Sequence, residues 1–308
     1  MSATKTDQML LPRAGGTVLD AVGNTPILNI DGVWAKLEFL NPSGSIKARL
    51  ARWVVEEAEA TGRIAPGDTI VEASSGNTGN ALAMVAAVKG YRMIVVMPHG
   101  LSDERQRISR AFGAEVELVG DFHVSAAIER AAELGQLPGY FYPAQFSSES
   151  NVTENCNWLG SELRDQLAPI GTIGSVVAGI GTGGSLIGTV RALRNTNPGL
   201  VAIGVEPEES RTIGCAKIAR HVIEGIADGL VPDIVLRHRS EIDEIHAVSG
   251  DDALAAMRQL AARHGLLVGP SSGANYVVAR QLIERGATGE VVTFFCDEGE
   301  KYLSSLWR

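Results

Sequence analysis

The sequence predicts an α/β fold whose strands are mainly parallel. Short runs rich in β-branched residues alternate repeatedly with helical stretches that end at glycine, and several runs lead through a polar loop directly into the next helix. This alternation is typical of β–α–β units, in which consecutive strands are parallel and helices cover the sheet. No repeat of fixed period, low-complexity tract or long linker interrupts it.

Each predicted element rests on its local pattern: β-branched runs of about five residues indicate strands, and apolar residues at helical spacing before a glycine indicate helices. Along the chain these are helix 47–62, strand 69–73, helix 78–88, strand 93–97, helix 103–112, strand 115–119, a helix after Asp121, helix 152–167, strand 175–178, helix 185–194, strand 201–205, helices 251–263 and 274–285, strand 291–295 and a short C-terminal helix.

The length and one irregular stretch predict two domains. The chain has 308 residues, whereas single domains usually hold roughly 100–200 residues. The alternation of strands and helices loosens near residues 139–150 and then resumes, so we place a change of domain near residue 150. Two domains provide a cleft in which a ligand can bind.

Composition favours a packed protein that acts on small molecules. Apolar residues make up 45% and charged residues 20% of the chain, as in ordinary globular proteins. The 36 acidic and 27 basic residues leave a formal net charge of −9, which disfavours a general role on nucleic acids or anionic membranes. The longest uncharged apolar stretch, residues 81–88, is far shorter than the roughly 20 residues that cross a bilayer.

The cysteines and the N-terminal residues favour a reducing cytoplasm. Cys156, Cys215 and Cys296 are far apart and lack the spacing of disulfide frameworks or zinc sites, so we expect no structural metal. Residues 1–16 contain no continuous apolar segment of signal-peptide length.

The first segment that indicates chemistry is Asn-Pro-Ser-Gly-Ser-Ile-Lys-Ala-Arg at residues 41–49. This turn-forming cluster runs into the first predicted helix and places Lys47 in its first turn. Because a helix N-terminus is electropositive, a lysine there is unfavourable unless its amine is neutral or bonded. Burial or imine formation removes that conflict and makes the nitrogen a usable nucleophile. An exposed lysine near a helix start is the alternative.

The second segment is Ser74-Ser75-Gly76-Asn77-Thr78-Gly79, between a strand and a helix. Backbone N–H groups at a helix start lack partners and attract anions. Three hydroxyls and one amide within five positions exceed what one cap needs, and the glycines let a ligand approach the backbone. We interpret the segment as a cradle for a substrate carboxylate; a ligand-free Ser/Thr cap is the alternative.

The third segment, Gly179-Ile180-Gly181-Thr182-Gly183-Gly184-Ser185, also follows a strand and opens a helix, and predicts a phosphate site. Residues 179–184 satisfy the G-x-G-x-x-G pattern, and Glu206 follows about twenty residues on, as in dinucleotide-binding folds. An NAD-dependent oxidoreductase is therefore a rival hypothesis, although it does not explain Lys47. A glycine loop that binds no phosphate is a further alternative.

An activated lysine, a carboxylate cradle and a phosphate loop are together what a pyridoxal-phosphate site for amino acids requires. The three segments resemble, in order and spacing, the signature loops of the O-acetylserine sulfhydrylase and cystathionine β-synthase family. The resemblance continues through Gln145-Phe146 and through residues 224–229, 269–273 and 297–302, and so covers nearly the whole chain.

The resemblance implies a fold like that of the tryptophan synthase β subunit. Two three-layer α/β domains with mainly parallel twisted sheets would hold the cofactor in the cleft between them. Residues 40–148 would form the N-terminal domain, with a mobile substrate-binding part. Residues 1–39 and 149–308 would form the larger domain, which contains the phosphate loop.

The resemblance also implies residue roles. Lys47 would form the Schiff base with pyridoxal 5′-phosphate, Asn77 would hydrogen-bond the ring hydroxyl, and Ser271 would face the pyridine nitrogen. The phosphate would be held by Gly181, Thr182, Gly183, Gly184 and Ser185. The substrate would be bound by Ser74, Ser75, Gly76, Asn77, Thr78, Gln145 and Gly225.

The implied reaction is β-replacement on O-acetylserine or O-phosphoserine through an aminoacrylate, with sulfide as the nucleophile and L-cysteine as the product. Lys47 would remove the α-proton. Relatives with the same loops add other thiols or amines, or eliminate to pyruvate and ammonia. These alternatives stay open because Ala48, Pro270 and residues 146–150 depart from the commoner family pattern.

Partners are implied in the same way. The family suggests a homodimer, and a pocket that binds carboxylates suits the C-terminal tail of a partner protein. Arg211, Lys217 and Arg220 fall in a segment that helps line the substrate entrance in relatives, where a cation would suit a phosphorylated leaving group. Solvated surface charge is the alternative for these three residues.

Overall fold

The protein is described by a computed structural model over residues 16–307, and residues 1–15, on which the signal-peptide expectation falls, lie outside the described residues. Ten strands form two sheets. They are β1 (Ile27–Ile30), β2 (Val33–Leu37), β3 (Thr69–Ala73), β4 (Arg92–Pro98), β5 (Glu115–Val119), β6 (Tyr140–Phe141), β7 (Ile173–Gly179), β8 (Val201–Pro207), β9 (Glu244–Val248) and β10 (Glu290–Phe295).

Eleven α-helices accompany the sheets in the described part of the chain. They are α1 (Lys47–Ala60), α2 (Asn77–Lys89), α3 (Asp103–Ala111), α4 (Ser125–Leu134), α5 (Glu149–Glu154), α6 (Ser161–Leu167), α7 (Gly184–Arg194), α8 (Thr212–Cys215), α9 (Asp233–Arg237), α10 (Gly250–His264) and α11 (Pro270–Glu284). Short 3₁₀ turns join several of them, including Pro42–Gly44 before α1 and Gly299–Tyr302 after β10.

The two sheets draw on different parts of the chain. One has six strands in the order β1-β2-β10-β7-β8-β9, and the other has four in the order β5-β4-β3-β6. Every pairing between described strands is parallel except that of β1 with β2. This confirms the predicted α/β class with mainly parallel strands. The central strand β3 is buried at every position, as expected where helices cover both faces of a parallel sheet.

The topology explains where a ligand can bind. In open parallel sheets, binding residues follow the carboxyl ends of strands. The polar loop at residues 74–79 follows β3 in the four-stranded sheet, and the glycine loop follows β7 in the six-stranded sheet. Each loop leads directly into a helix, α2 or α7, so two helix N-termini are available for anions.

One predicted helix is present but is not α-helical throughout. The stretch predicted as a single helix over 152–167 is divided into α5, a π-helical segment Asn155–Gly160, and α6. This segment packs closely against α7: a Cβ on Gly188 would lie 2.6 Å from Cβ of Asn155, and one on Gly160 would lie 2.5 Å from Cβ of Ala192. A π-helical segment is wider than an α-helix because its hydrogen bonds join residues five apart. Here it accompanies close packing against α7, which the periodicity of the sequence does not reveal.

Four strands escaped prediction, namely β1, β2, β6 and β9. The clearest case is β2, where Lys36 interrupts an otherwise apolar run yet is fully buried. Its amine contacts Glu162 of α6 and donates to the backbone oxygen of Thr25. A buried lysine is accommodated only when such partners converge on it, and the partner here is 126 positions away.

A buried ionic cluster joins α1 to the six-stranded sheet. The guanidinium of Arg49 binds Glu38 through two bonds of 2.7 and 2.8 Å and reaches Glu162 at 2.9 Å, and the side chains of Arg49 and Glu38 are both 0% exposed. Because Arg49 lies two residues after Lys47, this cluster positions the start of α1.

No helix in residues 16–307 has the length and apolarity needed to cross a bilayer.

Candidate active site

The polar loops of both sheets meet at one cavity. Its empty volume, which includes space open to solvent, is about 370 Å³. Nine of the residues predicted from sequence line it: Lys47, Ser74, Ser75, Asn77, Thr78, Gln145, Gly181, Thr182 and Gly225. Arg105, Phe146 and Asp228, to which the sequence assigned no role, line it as well.

Lys47 is the first residue of α1 and is held by the C-terminal part of the chain. The N–H of Ile46 donates to the carbonyl of Cys296 at 2.8 Å, and Lys301 donates to the carbonyls of Ser43 and Gly44. Gly44 has φ of +66°, and a Cβ there would lie 2.2 Å from Cδ of Glu298. The loop therefore needs glycine at this position, both for its backbone conformation and for its packing.

The environment of the Lys47 amine favours the neutral form. Removal from water lowers the pKa of this amine below its ordinary value, although Cys296, Glu154 and Asp228 nearby act in the opposite direction. A neutral amine is a nucleophile and a base, whereas an ammonium ion is neither. This agrees with the interpretation of Lys47 as an activated lysine.

The loop after β3 presents the start of α2 to the cavity. The Ser74 hydroxyl accepts hydrogen bonds from the N–H groups of Gly76 and Gly79, both at 3.0 Å, and so stabilises the turn. Gly76 does not line the cavity; its φ is +154°, and a Cβ there would lie 2.8 Å from Cδ of Arg105. The loop thus combines the predicted cap with a surface that faces the cavity.

Thr78 and Gln145 bond to each other at the edge of the cavity. The Thr78 hydroxyl donates to Oε1 of Gln145 at 2.6 Å, while Nε2 of Gln145 donates to the carbonyl of Ala73 at 2.7 Å. Buried Glu72 accepts the backbone N–H of Gln145 at 3.1 Å. The Gln145 side chain is therefore held in one orientation beside the start of α2.

The glycine loop enters α7 through residues that do not line the cavity themselves. Gly183 precedes the helix with φ of +87°, and Gly184 and Ser185 are its first two residues. The amide of Asn151 donates to Oγ1 of Thr182 at 2.9 Å and to the carbonyl of Gln145 at 2.9 Å. Asn151, which the sequence interpretation missed, thus links the glycine loop to the segment that contains Gln145.

Gly184 provides a test of the phosphate loop. A Cβ at this position would lie 2.1 Å from Oδ1 of Asn151, so we expect Gly184→Ala to displace either the loop or Asn151. Affinity for pyridoxal phosphate should fall at least about tenfold, equivalent to about 1.4 kcal/mol. Equilibrium titration of the cofactor-free protein with pyridoxal phosphate measures this affinity. Gly199→Ala is the matched control, because nothing lies within 4 Å of a Cβ there; equal affinities in both variants would contradict the assignment.

Ser271 is buried at the start of α11 and also lies outside the cavity lining. Its side chain hydrogen-bonds the thiol of Cys296, which in turn lies near Lys47. Burial raises the pKa of that thiol to about 12, so Cys296 is a neutral group rather than a nucleophile. Asn77 is held by its own contacts, since it donates to Asp297 at 2.8 Å and accepts from Lys301 at 3.1 Å.

Two charged residues in the cavity wall were given no role from the sequence, although Asp228 lies in the segment 224–229 that resembles the family. Arg105 is one of three arginines in α3, and only tertiary contacts distinguish it: it binds the carbonyl of Ser75 and pairs with Glu224 at 2.7 Å. The carboxyl of Asp228 is hydrogen-bonded by Ser75. Burial raises the pKa of Asp228 above its ordinary value, while Arg105 opposes this effect.

These residues fit an aldehyde cofactor with a phosphate group. The lysine amine, the start of α2 and the loop before α7 face one enclosed space, and the glycine loop is packed so closely that side chains cannot replace its glycines. A family model described as "Pyridoxal-phosphate dependent enzyme" matches residues 18–297. The chain belongs to this family.

Individual relatives agree with the family match. The chain is 38% identical over 301 residues to a probable cysteine synthase of Bacillus subtilis, covering 94% of this chain and 96% of that protein. It is 39% identical over 294 residues to a cysteine synthase of Staphylococcus aureus, with 94% of each covered. The solved O-acetylserine-dependent cystathionine β-synthase of Helicobacter pylori superposes with a TM-score of 0.91 at 35% identity, covering 96% of this chain and 100% of that one.

The predicted family and cofactor are thereby confirmed. The chain is a pyridoxal-phosphate-dependent enzyme of the cysteine synthase type. The NAD-dependent alternative is rejected. Glu206, which suggested it, is fully buried and accepts the backbone N–H groups of Ile213 and Gly214, so its carboxylate serves the start of α8.

A buried glutamate next to this site predicts a pH effect. Glu154 is 1% exposed, and within residues 16–307 its Oε1 has no hydrogen-bond partner. Burial raises its pKa to about 8, an effect that Arg49 and Lys47 reduce and that Glu38 and Glu162 increase. Between about pH 4.5 and 8 the folded protein therefore keeps a proton that the unfolded chain loses, so stability falls as pH rises through this window.

We expect Glu154→Gln to reduce this loss of stability. For one such group the loss is at most about 1.4 kcal/mol per pH unit. Buried Glu72, whose pKa burial also raises to about 8, should account for a second part that the variant retains. Urea denaturation between pH 5 and 9 measures the slope, with Glu129→Gln at an exposed position as control. A Glu154→Gln slope equal to that of the control would show that Glu154 is ionised in the folded protein.

Proposed function

We propose that this enzyme replaces the β-substituent of an O-activated L-serine with sulfide and so produces L-cysteine. The observation that carries the proposal is that the Lys47 amine, the start of α2 and the glycine loop before α7 all face one cavity. The first provides a nucleophile and base, the second a site for an α-carboxylate, and the third a site for a phosphate. The names of the relatives support the choice of product.

The substrate is oriented by the start of α2. We assign its α-carboxylate to Ser75, Asn77 and Thr78, with Ser74 and Gly76 shaping the turn, since the helix N-terminus attracts anions there. Gln145 and Gly225 complete this side of the cavity. A carboxylate fixed here leaves the α-carbon on the side of Lys47.

Lys47 performs the proton transfers. Its amine, whose pKa is lowered by burial, accepts the α-proton from the bound substrate and later returns a proton to the product. Bound pyridoxal phosphate supplies the electron sink that allows the α-proton and the β-substituent to leave. We assign its phosphate to Gly181, Thr182, Gly183, Gly184 and Ser185, its ring hydroxyl to Asn77 and its ring nitrogen to Ser271. Phe146 in the wall helps to exclude water.

The cations proposed for a phosphorylated donor are not equivalent. Arg211 lies 3.6 Å from Glu206, and Lys217 donates to the carbonyl of Glu208 at 3.2 Å. Only Arg220 lines a cavity that adjoins the Lys47 site. We therefore favour O-acetylserine over O-phosphoserine as the donor, since Arg105, the other arginine that lines that cavity, is already paired with Glu224.

The division into domains, the assembly and the cellular location are further proposals. We propose domains of residues 40–148 and of residues 1–39 with 149–308, because the four-stranded sheet lies wholly within the first range. We also propose a homodimer, as in the family, and a cytoplasmic location, which suits three free cysteines.

The carboxylate cradle at α2 would accept the C-terminal tail of a partner protein in the manner of a substrate.

Donor and acceptor can be tested together. The enzyme, saturated with pyridoxal phosphate, is given O-acetylserine or O-phosphoserine with sulfide, and released acetate or phosphate is compared with L-cysteine formed. We expect acetate and cysteine in equal amounts and faster turnover of the acetyl ester. Pyruvate and ammonia in place of cysteine at saturating sulfide would instead show an eliminating enzyme.

A further inference from the structure

The turn after β10, residues 297–302, resembles the family but has no role in the function proposed above. It lies behind Asn77, outside the lining of the Lys47 cavity. Three of its side chains, those of Asp297, Lys301 and Tyr302, are nevertheless at most 2% exposed. Because burial of a charged group is unfavourable without partners, the contacts of these side chains show what the turn holds in place.

The amine of Lys301 has three hydrogen-bond acceptors. It donates to the carbonyls of Ser43 at 2.8 Å and Gly44 at 2.9 Å, and to Oδ1 of Asn77 at 3.1 Å. An ammonium group has three N–H donors and a neutral amine has two, so three acceptors favour the charged form. Burial lowers the pKa of this amine, and Asp297 opposes that effect. One cation therefore joins the loop before α1 to the start of α2.

Asp297 binds the other end of the same amide. Its Oδ2 accepts a hydrogen bond from Nδ2 of Asn77 at 2.8 Å and another from the hydroxyl of Tyr302 at 2.5 Å. The Tyr302 hydroxyl in turn accepts from Arg105 at 3.2 Å, so the carboxylate is itself held in place. Asn77 thus has an acceptor at its nitrogen and a donor at its oxygen.

These two contacts determine which way the Asn77 amide faces. The nitrogen and oxygen of an amide have similar shapes, and their hydrogen-bond partners decide the orientation. If the amide were turned over, its NH₂ group would face the Lys301 ammonium and its oxygen would face the Asp297 carboxylate, so both contacts would be repulsive. Asp297 uses one of the two N–H groups of Nδ2, and the other is available to a ligand in the cavity that Asn77 lines.

We propose that Lys301 is a positioning residue that, together with Asp297, keeps Asn77 as a hydrogen-bond donor to the ring oxygen of pyridoxal phosphate. The inference rests on the assignment of that oxygen to Asn77 in the proposed function. A donor at this position stabilises the ring oxygen in its ionised form, with the proton on the nitrogen that joins Lys47 to the cofactor. The protonated nitrogen makes the neighbouring carbon more reactive toward a substrate amine.

Lys301 also acts on the Lys47 side of the cofactor. Its bonds to the carbonyls of Ser43 and Gly44 hold the turn that leads into α1, of which Lys47 is the first residue. The aldehyde and the ring hydroxyl of pyridoxal phosphate are attached to adjacent atoms of the pyridine ring. One ammonium group can therefore position both the lysine that bonds the aldehyde and the amide that faces the hydroxyl.

The absorption spectrum of the resting holoenzyme, recorded without substrate, tests the proposal. The form with an ionised ring oxygen and a protonated nitrogen absorbs in the visible, whereas the form with a neutral ring hydroxyl absorbs in the near-ultraviolet. In Lys301→Met the Asn77 amide is free to present its oxygen, which favours the neutral hydroxyl. We expect the ratio of visible to near-ultraviolet absorbance to fall at least about threefold, the effect of exchanging one hydrogen bond.

A second background and a control separate this effect from a general loss of structure. In an Asn77→Ala protein, Lys301→Met should change the ratio no further, because its effect passes through Asn77. Glu300→Gln, at an exposed neighbour in the same turn, is the matched control and should keep the wild-type spectrum.

A neutron structure of the wild-type holoenzyme tests the orientation without any variant. The expected result is a deuteron on the Asn77 atom that faces the ring oxygen and three deuterons on the Lys301 amine. An Asn77 oxygen that faces the ring, or a Lys301 amine with two deuterons, would contradict the proposal.

The spectra also distinguish this inference from the proposed function. If Asn77→Ala has the wild-type ratio, Asn77 does not contact the ring oxygen, and that part of the proposed function fails together with the inference. If Asn77→Ala lowers the ratio but Lys301→Met does not, only the inference is overturned. The same holds if Lys301→Met lowers the ratio equally with and without Asn77. Each of these outcomes is independent of the donor and acceptor that the enzyme uses.

Discussion

Replacing Lys47 with alanine should lower kcat by at least about 10³-fold with little loss of stability. The amine lines the cavity beside the start of α2, and the variant removes both the nucleophile that attaches the cofactor and the base that takes the α-proton. The loss is large because one nitrogen performs both tasks. Stability should change little, since the lysine forms no ion pair in the described structure and its burial is unfavourable.

Attachment and activity should be measured separately. Borohydride reduction of the wild-type enzyme should leave the cofactor on the peptide that contains Lys47, and the variant should release it on denaturation. Lys89→Ala, at a surface lysine paired with Glu59, should keep both properties. Cofactor retained on another lysine of the Lys47→Ala protein, with activity intact, would refute the assignment.

Replacing Arg49 with methionine should have the largest effect on stability, about 3–5 kcal/mol. The guanidinium is fully buried and forms two bonds with Glu38 and further contacts with Glu162. Its removal leaves two carboxylates short of a partner in a region closed to water. Because α1 begins at Lys47, we also expect a weaker affinity for pyridoxal phosphate.

Urea unfolding followed by circular dichroism measures this change. Arg107→Met is the matched control: its side chain is 78% exposed, and its ion pair with Asp103 is long, at 3.6 Å. Surface pairs of this kind contribute roughly 0–1 kcal/mol. Similar midpoints for the two variants would show that the buried cluster contributes little to the stability of the fold.

Several features could be read from short stretches of sequence. The strand at residues 69–73 and the loop at 74–79 are consecutive, as are β7 and the glycine loop, so the pattern that predicts each strand also places the polar residues at its carboxyl end. Lys47 was a candidate because a lysine at a helix start conflicts with the helix dipole, and its role as the Schiff-base lysine came from the resemblance of the three loops to the family. In each case the relevant physical effect acts between residues close together in the chain.

Other features had no local signal. Arg105, Arg107 and Arg110 occupy one short helix, yet only Arg105 is buried, because Ser75, Glu224 and Tyr302 converge on it. The π-helical segment Asn155–Gly160 depends in the same way on contact with α7. Periodicity predicts a helix but not which of its polar residues will be enclosed.

The sequence alone determined the α/β class, the three loops and the cofactor they suit, since backbone propensity, helix-end electrostatics and strand-to-helix connections are local properties. The tertiary structure decided which charges surround the lysine and which of the predicted side chains line one cavity with it. Asn77 meets Asp297 across 220 positions, and Arg105 meets Tyr302 across 197. Such contacts form only when the whole chain has packed, because the free energy of burying a charge depends on partners that no local pattern specifies.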